Sequence, residues 1–280
     1  MKRNYENNGY HIEKNVISKD IHKEIFYSYY DLGLSTIRRN KINLNFKAKK
    51  IEDLFYPEDI KILDKLLLTI FKFNPNLIGE IYDTVSYSST FLKLISNKKI
   101  ESLTRELLDL KKYNTLYSVT HRIRIDPPKD ERRTYGWHQE IFYTIPNTKF
   151  LQTWAPILRD TTAKNGTIEI CPGSHKEGIA KAEWKEAKGK ATQVLVDKNL
   201  VKKYKKTRLS MKVGDILFFD PHLFHKSGQN STKDEIRFSL VGHWNDCSFR
   251  GFRAPLPFFK SRTIGAKENF DSFIAKNKKK

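Results

Sequence analysis

The chain has 280 residues, 52 Lys+Arg against 32 Asp+Glu, and a formal net charge of +20. A hydrophobic fraction of 39% with 12% aromatics can bury a core, which excludes wholesale disorder. Two cysteines, Cys171 and Cys247, exclude a disulfide framework, and with no bilayer-length apolar run or secretory h-region visible, a cytoplasmic protein is expected.

Residues 1–115 are predicted to be mainly helical. Pro57 is placed to open a helix at its first position. Ile60, Leu63, Leu67 and Ile70 then follow a 3.6-residue period. Leu77, Ile78, Ile81, Tyr82 and Val85 form a second such face. Ile100, Leu103, Leu107 and Leu110 form a third, with Ser96 or Asn97 as its cap.

From Leu116 the period becomes two. Val119, His121, Ile123 and Ile125 share one strand face; Thr120, Arg122 and Arg124 share the other, and Pro127-Pro128 ends the strand. Further strands are predicted at 137–143, 149–157, 167–171, 192–196, 216–219 and 236–244, with turn signals at Asn165-Gly166 and Gly214-Asp215. Many short strands without alternating helices point to a sandwich, jelly roll or barrel over residues 116–250. The lysine-rich stretch 176–208 is expected to be a polar insertion or lid, and 270–280 a basic, solvated tail.

The charge does not form one stripe. Residues 1–50 hold 11 basic and 5 acidic side chains, and 176–208 hold 11 and 4, whereas 209–240 balances to zero. A nucleic-acid groove would interleave basic residues with exposed aromatics, so nucleic acid is not the expected partner.

The chemistry concentrates in Trp137-His138-Gln139-Glu140. On a strand, positions i and i+2 face the same way, so His138 and Glu140 can offer an imidazole and a carboxylate to one metal. His225 is the best third donor. Two histidines and a carboxylate on one face of an octahedron leave three positions open, which suits Fe(II) that must also admit a cosubstrate and O2. Taken alone, His138 and Glu140 also read as an ordinary half-exposed strand pair. The distal half adds weight: an apolar run, Ile216-Leu217-Phe218-Phe219, leads to His225-Lys226-Ser227-Gly228, and Arg237 follows on the next strand. Arginine grips a carboxylate through two parallel hydrogen bonds, which is what the far end of an iron-chelating α-keto acid requires.

Several segments in order resemble the phytanoyl-CoA dioxygenase-like family of Fe(II)/2-oxoglutarate oxygenases. These are Asn8-Gly9-Tyr10 with Asn15-Val16-Ile17-Ser18, then Pro127-Pro128 and Trp137-His138-Gln139-Glu140. Trp154, Asn165-Gly166 and Cys171-Pro172-Gly173-Ser174-His175-Lys176 follow, then His225-Lys226-Ser227-Gly228 with Asn230 and Arg237. The resemblance spans roughly residues 8–250. It implies one oxygenase domain over 1–280: a double-stranded β-helix (a cupin-like jelly roll), mainly β with flanking helices. It implies His138, Glu140 and His225 as iron ligands, and Arg237 on the distal carboxylate of 2-oxoglutarate with Ser227 and Trp154 nearby. Fe(II), 2-oxoglutarate and O2 would then serve to hydroxylate a small molecule, and the lysine-rich stretch 176–208 admits an acidic or anionic one. Most members carry Asp where this chain has Glu140, one methylene longer. A carboxylate there counts against a halogenase, which needs that space for halide.

Other assignments follow from context. His222 competes with His225, but only His225 precedes Ser-Gly-x-Asn. His175 is expected to hold its turn, and His243, on the face of Arg237, to serve either the site or the core. Arg122 and Arg124 face either solvent or the site mouth. The alternatives to an oxygenase are a cupin-like isomerase or epimerase, which needs no arginine clamp, and a non-catalytic β-sandwich binding module.

Overall fold

The computed structural model describes residues 1–132, 134–143, 149–186 and 193–252. The 270–280 tail and residues 187–192 of the lysine-rich stretch lie outside these.

The helical layer comprises α1 (Lys2–Asn8), α2 (Lys19–Arg39), α3 (Ile60–Phe73), α4 (Pro75–Val85), α5 (Ser89–Ile95) and α6 (Lys98–Leu107). Four of these start where a short polar side chain accepts from the first turn. Ser18 accepts from Ile21 N, Asn74 from Asn76 N, Ser88 from Phe91 N, and Asn97 from Lys99 N and Ile100 N. α3 differs from expectation, starting at Ile60 rather than Pro57. Asp59 closes the turn containing Pro57: its backbone N–H donates to Phe55 O, and its carboxylate accepts from Phe55 N. The predicted faces hold: Leu63, Leu67 and Ile70 are buried, as are all five apolar residues of α4.

The strands are β1 (Tyr10–Glu13), β2 (Leu116–Asp126), β3 (Phe150–Pro156), β4 (Glu169–Ile170), β5 (Ala182–Lys185), β6 (Gln193–Val196), β7 (Thr207–Arg208), β8 (Ile216–Phe219), β9 (His225–Lys226) and β10 (Arg237–Asp246). Five form an antiparallel sheet in the order β1-β8-β3-β10-β2, three form a smaller sheet β7-β4-β9, and β5-β6 is a hairpin. β1 crosses the boundary expected at residue 115, because it pairs with β8 at the edge of the large sheet. The stretch 176–208 is not a plain polar loop: it contains β5, β6, β7 and the short α7 (Lys198–Lys202).

Period-two alternation sorts the large sheet into two faces. Ile123, Ile125, Leu151, Ala155, Ile216, Phe218, Phe238, Leu240 and Trp244 join the helical core with Ile25, Phe26, Tyr29 and Leu66. Their neighbours Trp154, Leu217 and Phe219 pack with Ile168, Ile170 and Leu209, at or beside the smaller sheet. The architecture is a jelly roll with helices covering the outer face of its large sheet. The polar residues between the hydrophobic ones point to the inner side.

Candidate metal centre

β10 supplies the spine of the site. Arg237, Ser239 and Val241 pair with Asp126, Arg124 and Arg122 of β2, while Val241 and His243 pair with Trp154 and Gln152 of β3. Arg122, Arg124, Arg237, Val241, His243, Gln152 and Trp154 thus converge on one cavity of about 520 Å³. Tyr82, Tyr135, Tyr143, Phe219, Ser227 and the three expected metal donors also line it, with Asp83, Ile168 and Lys226.

His138 and His225 meet through a two-way backbone bridge. His138 N–H donates to His225 O at 3.0 Å, and His225 N–H to His138 O at 3.1 Å. Their ring centroids are 4.1 Å apart. Segment 137–143 is not the strand that its alternation predicts. Pairing lasts one residue, and Glu140–Phe142 form a 3-10 turn. Two groups pull the chain off the sheet. The backbone N–H groups of Glu140 and Ile141 both donate to Pro221 O, at 2.9 and 3.3 Å. The fully buried Gln139 amide donates to Gly178 O and His222 O, each at 2.7 Å, and accepts from Ala180 N at 2.9 Å. His138 and Glu140 therefore share a site by a route other than the i, i+2 rule.

The donor set is closely spaced and buried. One donor atom each from His138, Glu140 and His225 lies within 4.8 Å of the others, the sole such cluster among the described residues. Glu140 Oε2 is 3.7 Å from His138 Nε2 and 3.5 Å from His225 Nε2. Donors ~2.1 Å from a shared ion lie at most about 4 Å apart, so these spacings fit one first-row metal. His138 Nδ1 contacts Gly136 O at 2.7 Å and His225 Nδ1 contacts Leu223 O at 2.9 Å. Each carbonyl fixes its tautomer with the proton on Nδ1, leaving Nε2 as a lone-pair donor. Burial, then the neighbouring His138, lowers the pKa of His225 and favours the neutral ring a metal requires. Burial opposes charge on Glu140, yet His243, His138 and His225 hold its pKa well below the usual carboxylate range.

Arg237 is buried and oriented by Asp126. Nε and Nη2 donate to Asp126 Oδ2 at 3.2 and 2.9 Å, and Nη1 donates to Gly228 O at 2.9 Å. One hydrogen on each terminal nitrogen remains, enough for a two-pronged grip on a carboxylate. Arg124 Nη2 donates to the other Asp126 oxygen at 2.8 Å. Burial works against charge on Asp126, but the two guanidinium groups keep its pKa low. Gly166, at φ 87, allows the close approach: a Cβ there would lie 2.7 Å from Arg237 Nη1.

All the residues expected in the site converge: His138, Glu140 and His225 at the cluster, and Arg237, Ser227 and Trp154 on the wall. Arg122 and Arg124 line the cavity instead of a solvated edge. His222 instead contacts Asp220 at 3.0 Å, and His175 contacts Glu6 O at 3.0 Å, tying its turn to α1. Cys171 and Cys247 are free thiols; burial pushes Cys171 up to about 11, which makes it unreactive. Asp126, Gln152 and Tyr143 were not anticipated. Asp126 follows Arg124 by two on the same strand face, the one sequence signal that could have found it.

A jelly roll holding two histidines and a carboxylate at its inner face is the plan of the cupin-like iron oxygenases. The family model described as "Phytanoyl-CoA dioxygenase (PhyH)" matches residues 5–239, and the chain belongs to that family. A probable phytanoyl-CoA dioxygenase of Caenorhabditis elegans is 24% identical over 240 residues, covering 83% of this chain and 70% of that protein. A probable alpha-ketoglutarate-dependent hypophosphite dioxygenase of Stutzerimonas stutzeri is 25% identical over 228 residues, 69% of this chain and 73% of that one. Among solved structures, the epimerase SnoN in complex with Fe3+, alpha ketoglutarate and nogalamycin RO matches with a TM-score of 0.56 at 17% identity. That match covers 88% of this chain and 82% of SnoN, and it is a likeness of fold. Family and donor set agree on an iron- and 2-oxoglutarate-dependent oxygenase.

Proposed function

We propose that the chain hydroxylates a C–H bond of a small anionic molecule, with His138, Glu140 and His225 holding iron(II). The observation that carries this is the buried His/Glu/His cluster sharing one cavity with an arginine whose terminal N–H groups are half uncommitted. Iron(II) and 2-oxoglutarate, when bound, supply the oxidising chemistry, consuming O2 and releasing CO2 and succinate.

The chain's own residues bind, orient and shield. Arg237 grips the distal carboxylate of the cosubstrate, beside Ser227 and Trp154. Tyr135 and Tyr143 pack against the His138 ring and Phe219 against the His225 ring, contacts that would limit water at the cluster. Burial pushes Tyr143 up to about 12, so it stays a neutral phenol at the wall. Four cations, Arg122, Arg124, Lys226 and Arg237, line the cavity against two acids, Asp83 and Glu140. Asp126 behind Arg124 and Arg237, and Glu169 at 3.3 Å from Lys226, offset three of these cations. Arg122 sits over Tyr82, 5.8 Å from the ring centroid, and its Nη1 donates to the Tyr82 hydroxyl at 3.3 Å. Its side chain is thereby held at the cavity wall, where an anionic group of a substrate would meet it. An isomerase working without a keto-acid cosubstrate has no use for the Asp126–Arg237 pair, which sets the oxygenase reading ahead of it.

The test is anaerobic. Adding Fe(II) and 2-oxoglutarate to the protein should develop the visible charge-transfer absorption of the chelated keto acid. His138→Ala and His225→Ala should each abolish it, together with succinate formation in air. Full succinate formation by either variant would remove that histidine from the metal site.

A further inference from the structure

Glu140 is one methylene longer than an aspartate would be, and it has an extra torsion to restrain. A loose carboxylate can turn both oxygens to a metal and cover a coordination position that cosubstrate or O2 needs. The structure holds this carboxylate from two strands. His243 Nε2 lies 2.9 Å from Oε1, a close ion-pair contact outside hydrogen-bond angles. Gln152 Nε2 donates to Oε2, the oxygen facing both imidazoles, at 3.1 Å. His243 and Gln152 are themselves cross-strand partners on β10 and β3, and both are buried.

The strand is built to deliver His243 there. The β10–β2 register shifts between Val241 and His243, a bulge of the kind that re-aims a side chain beside a site. Gly242 makes the bulge feasible, since a Cβ there would lie 2.1 Å from the His121 ring. Phe150 packs edge-on against the His243 ring, centroids 5.9 Å apart at 87°. His243 does not join the three-donor cluster itself.

We propose that His243 is a positioning residue for Glu140. It retains Oε1 so that Oε2 alone faces the metal, and it thereby lets a glutamate serve where the extra methylene would otherwise leave the carboxylate loose. This inference rests on the metal-site reading above, and the experiment separates the two.

Mn(II), a redox-stable probe, is titrated into the purified full chain and followed by electron paramagnetic resonance. Tight binding by the native chain and its loss in His138→Ala test the metal site itself. His243→Phe should weaken Mn(II) binding by about 10–100-fold, the usual cost of losing a group that orients a ligand. In a Glu140→Asp background the same replacement should change affinity less than about 3-fold, since the shorter carboxylate no longer reaches His243. Equal losses in both backgrounds, or no loss in either, overturn the proposal while leaving the metal site standing. If His243→Phe does not fold, His243→Gln is read instead. It keeps an N–H donor and should bind within about 5-fold of the native chain, whereas a loss of roughly 10–100-fold at native melting temperature overturns the proposal.

Discussion

At the scale of single residues, the Asp126 carboxylate organises the cationic end of the cavity. It holds Arg237 by two bonds and Arg124 by one. Replacing it with asparagine keeps the shape but removes the charge that Asp126 sets against two buried guanidinium groups. Asp126→Asn should raise the KM for 2-oxoglutarate by about 10-fold or more with kcat changed less than about 3-fold, because a misaimed arginine weakens cosubstrate binding more than the chemical step. An unchanged KM in a correctly folded variant would show that Asp126 does not position Arg237. The convergence of His138, Glu140, His225 and Arg237 was legible because their short motifs occur together and in order, whereas His138 and Glu140 alone read as an ordinary strand pair. Asp126 was not, since its partner Arg237 is 111 positions away and only the pairing of β2 with β10 brings them together.

At the scale of elements, Gln139 decides the path of the segment that carries two of the three proposed metal donors. Its amide bonds three backbone groups from two distant loops directly. Gln139→Leu preserves apolar volume but strands those groups at roughly 1 kcal/mol or more each, so the loss should be about 3 kcal/mol in all. Urea unfolding should show a lower midpoint at unchanged slope, and Mn(II) affinity should fall with it. A midpoint within error of the native chain would mean the turn is held elsewhere. The same segment shows where sequence periodicity misleads. Its alternation is that of a strand, but the alternating residues are two members of the buried His/Glu/His cluster and, between them, the Gln139 staple, so side-chain bonding and not pleating set the pattern. Helix faces in α3, α4 and α6 were legible for the opposite reason: each buries its apolar stripe on a neighbour. The start of α3 was missed because the bond from Phe55 N to Asp59 has no counterpart in apolar period. The order β1-β8-β3-β10-β2 was likewise beyond reach, because strands remote in sequence pair.

At the scale of the whole molecule, stability should fall on mild acidification, and His22 should account for part of the fall. His22 is 1% exposed inside α2, and burial pushes its imidazole down to about 4. In the unfolded chain the same ring takes a proton near 6.5. Between those values the unfolded state binds the extra proton, so stability rises with pH across the window and is lost as pH falls through it. At pH 5 the penalty is roughly 2 kcal/mol. Asp64 acts with the opposite sign: burial raises it to about 6 against the pull of Arg159, so its folded form holds a proton longer and its contribution declines as pH rises from 4 to 6. The net charge of +20 adds a repulsion that also grows on acidification. A single stability curve therefore mixes three effects, and a difference between two proteins isolates one. The unfolding free energy of the native chain minus that of His22→Leu should increase by roughly 2 kcal/mol from pH 5 to pH 7, since charge repulsion and Asp64 are common to both. A difference independent of pH would show that the folded chain already carries a proton on His22.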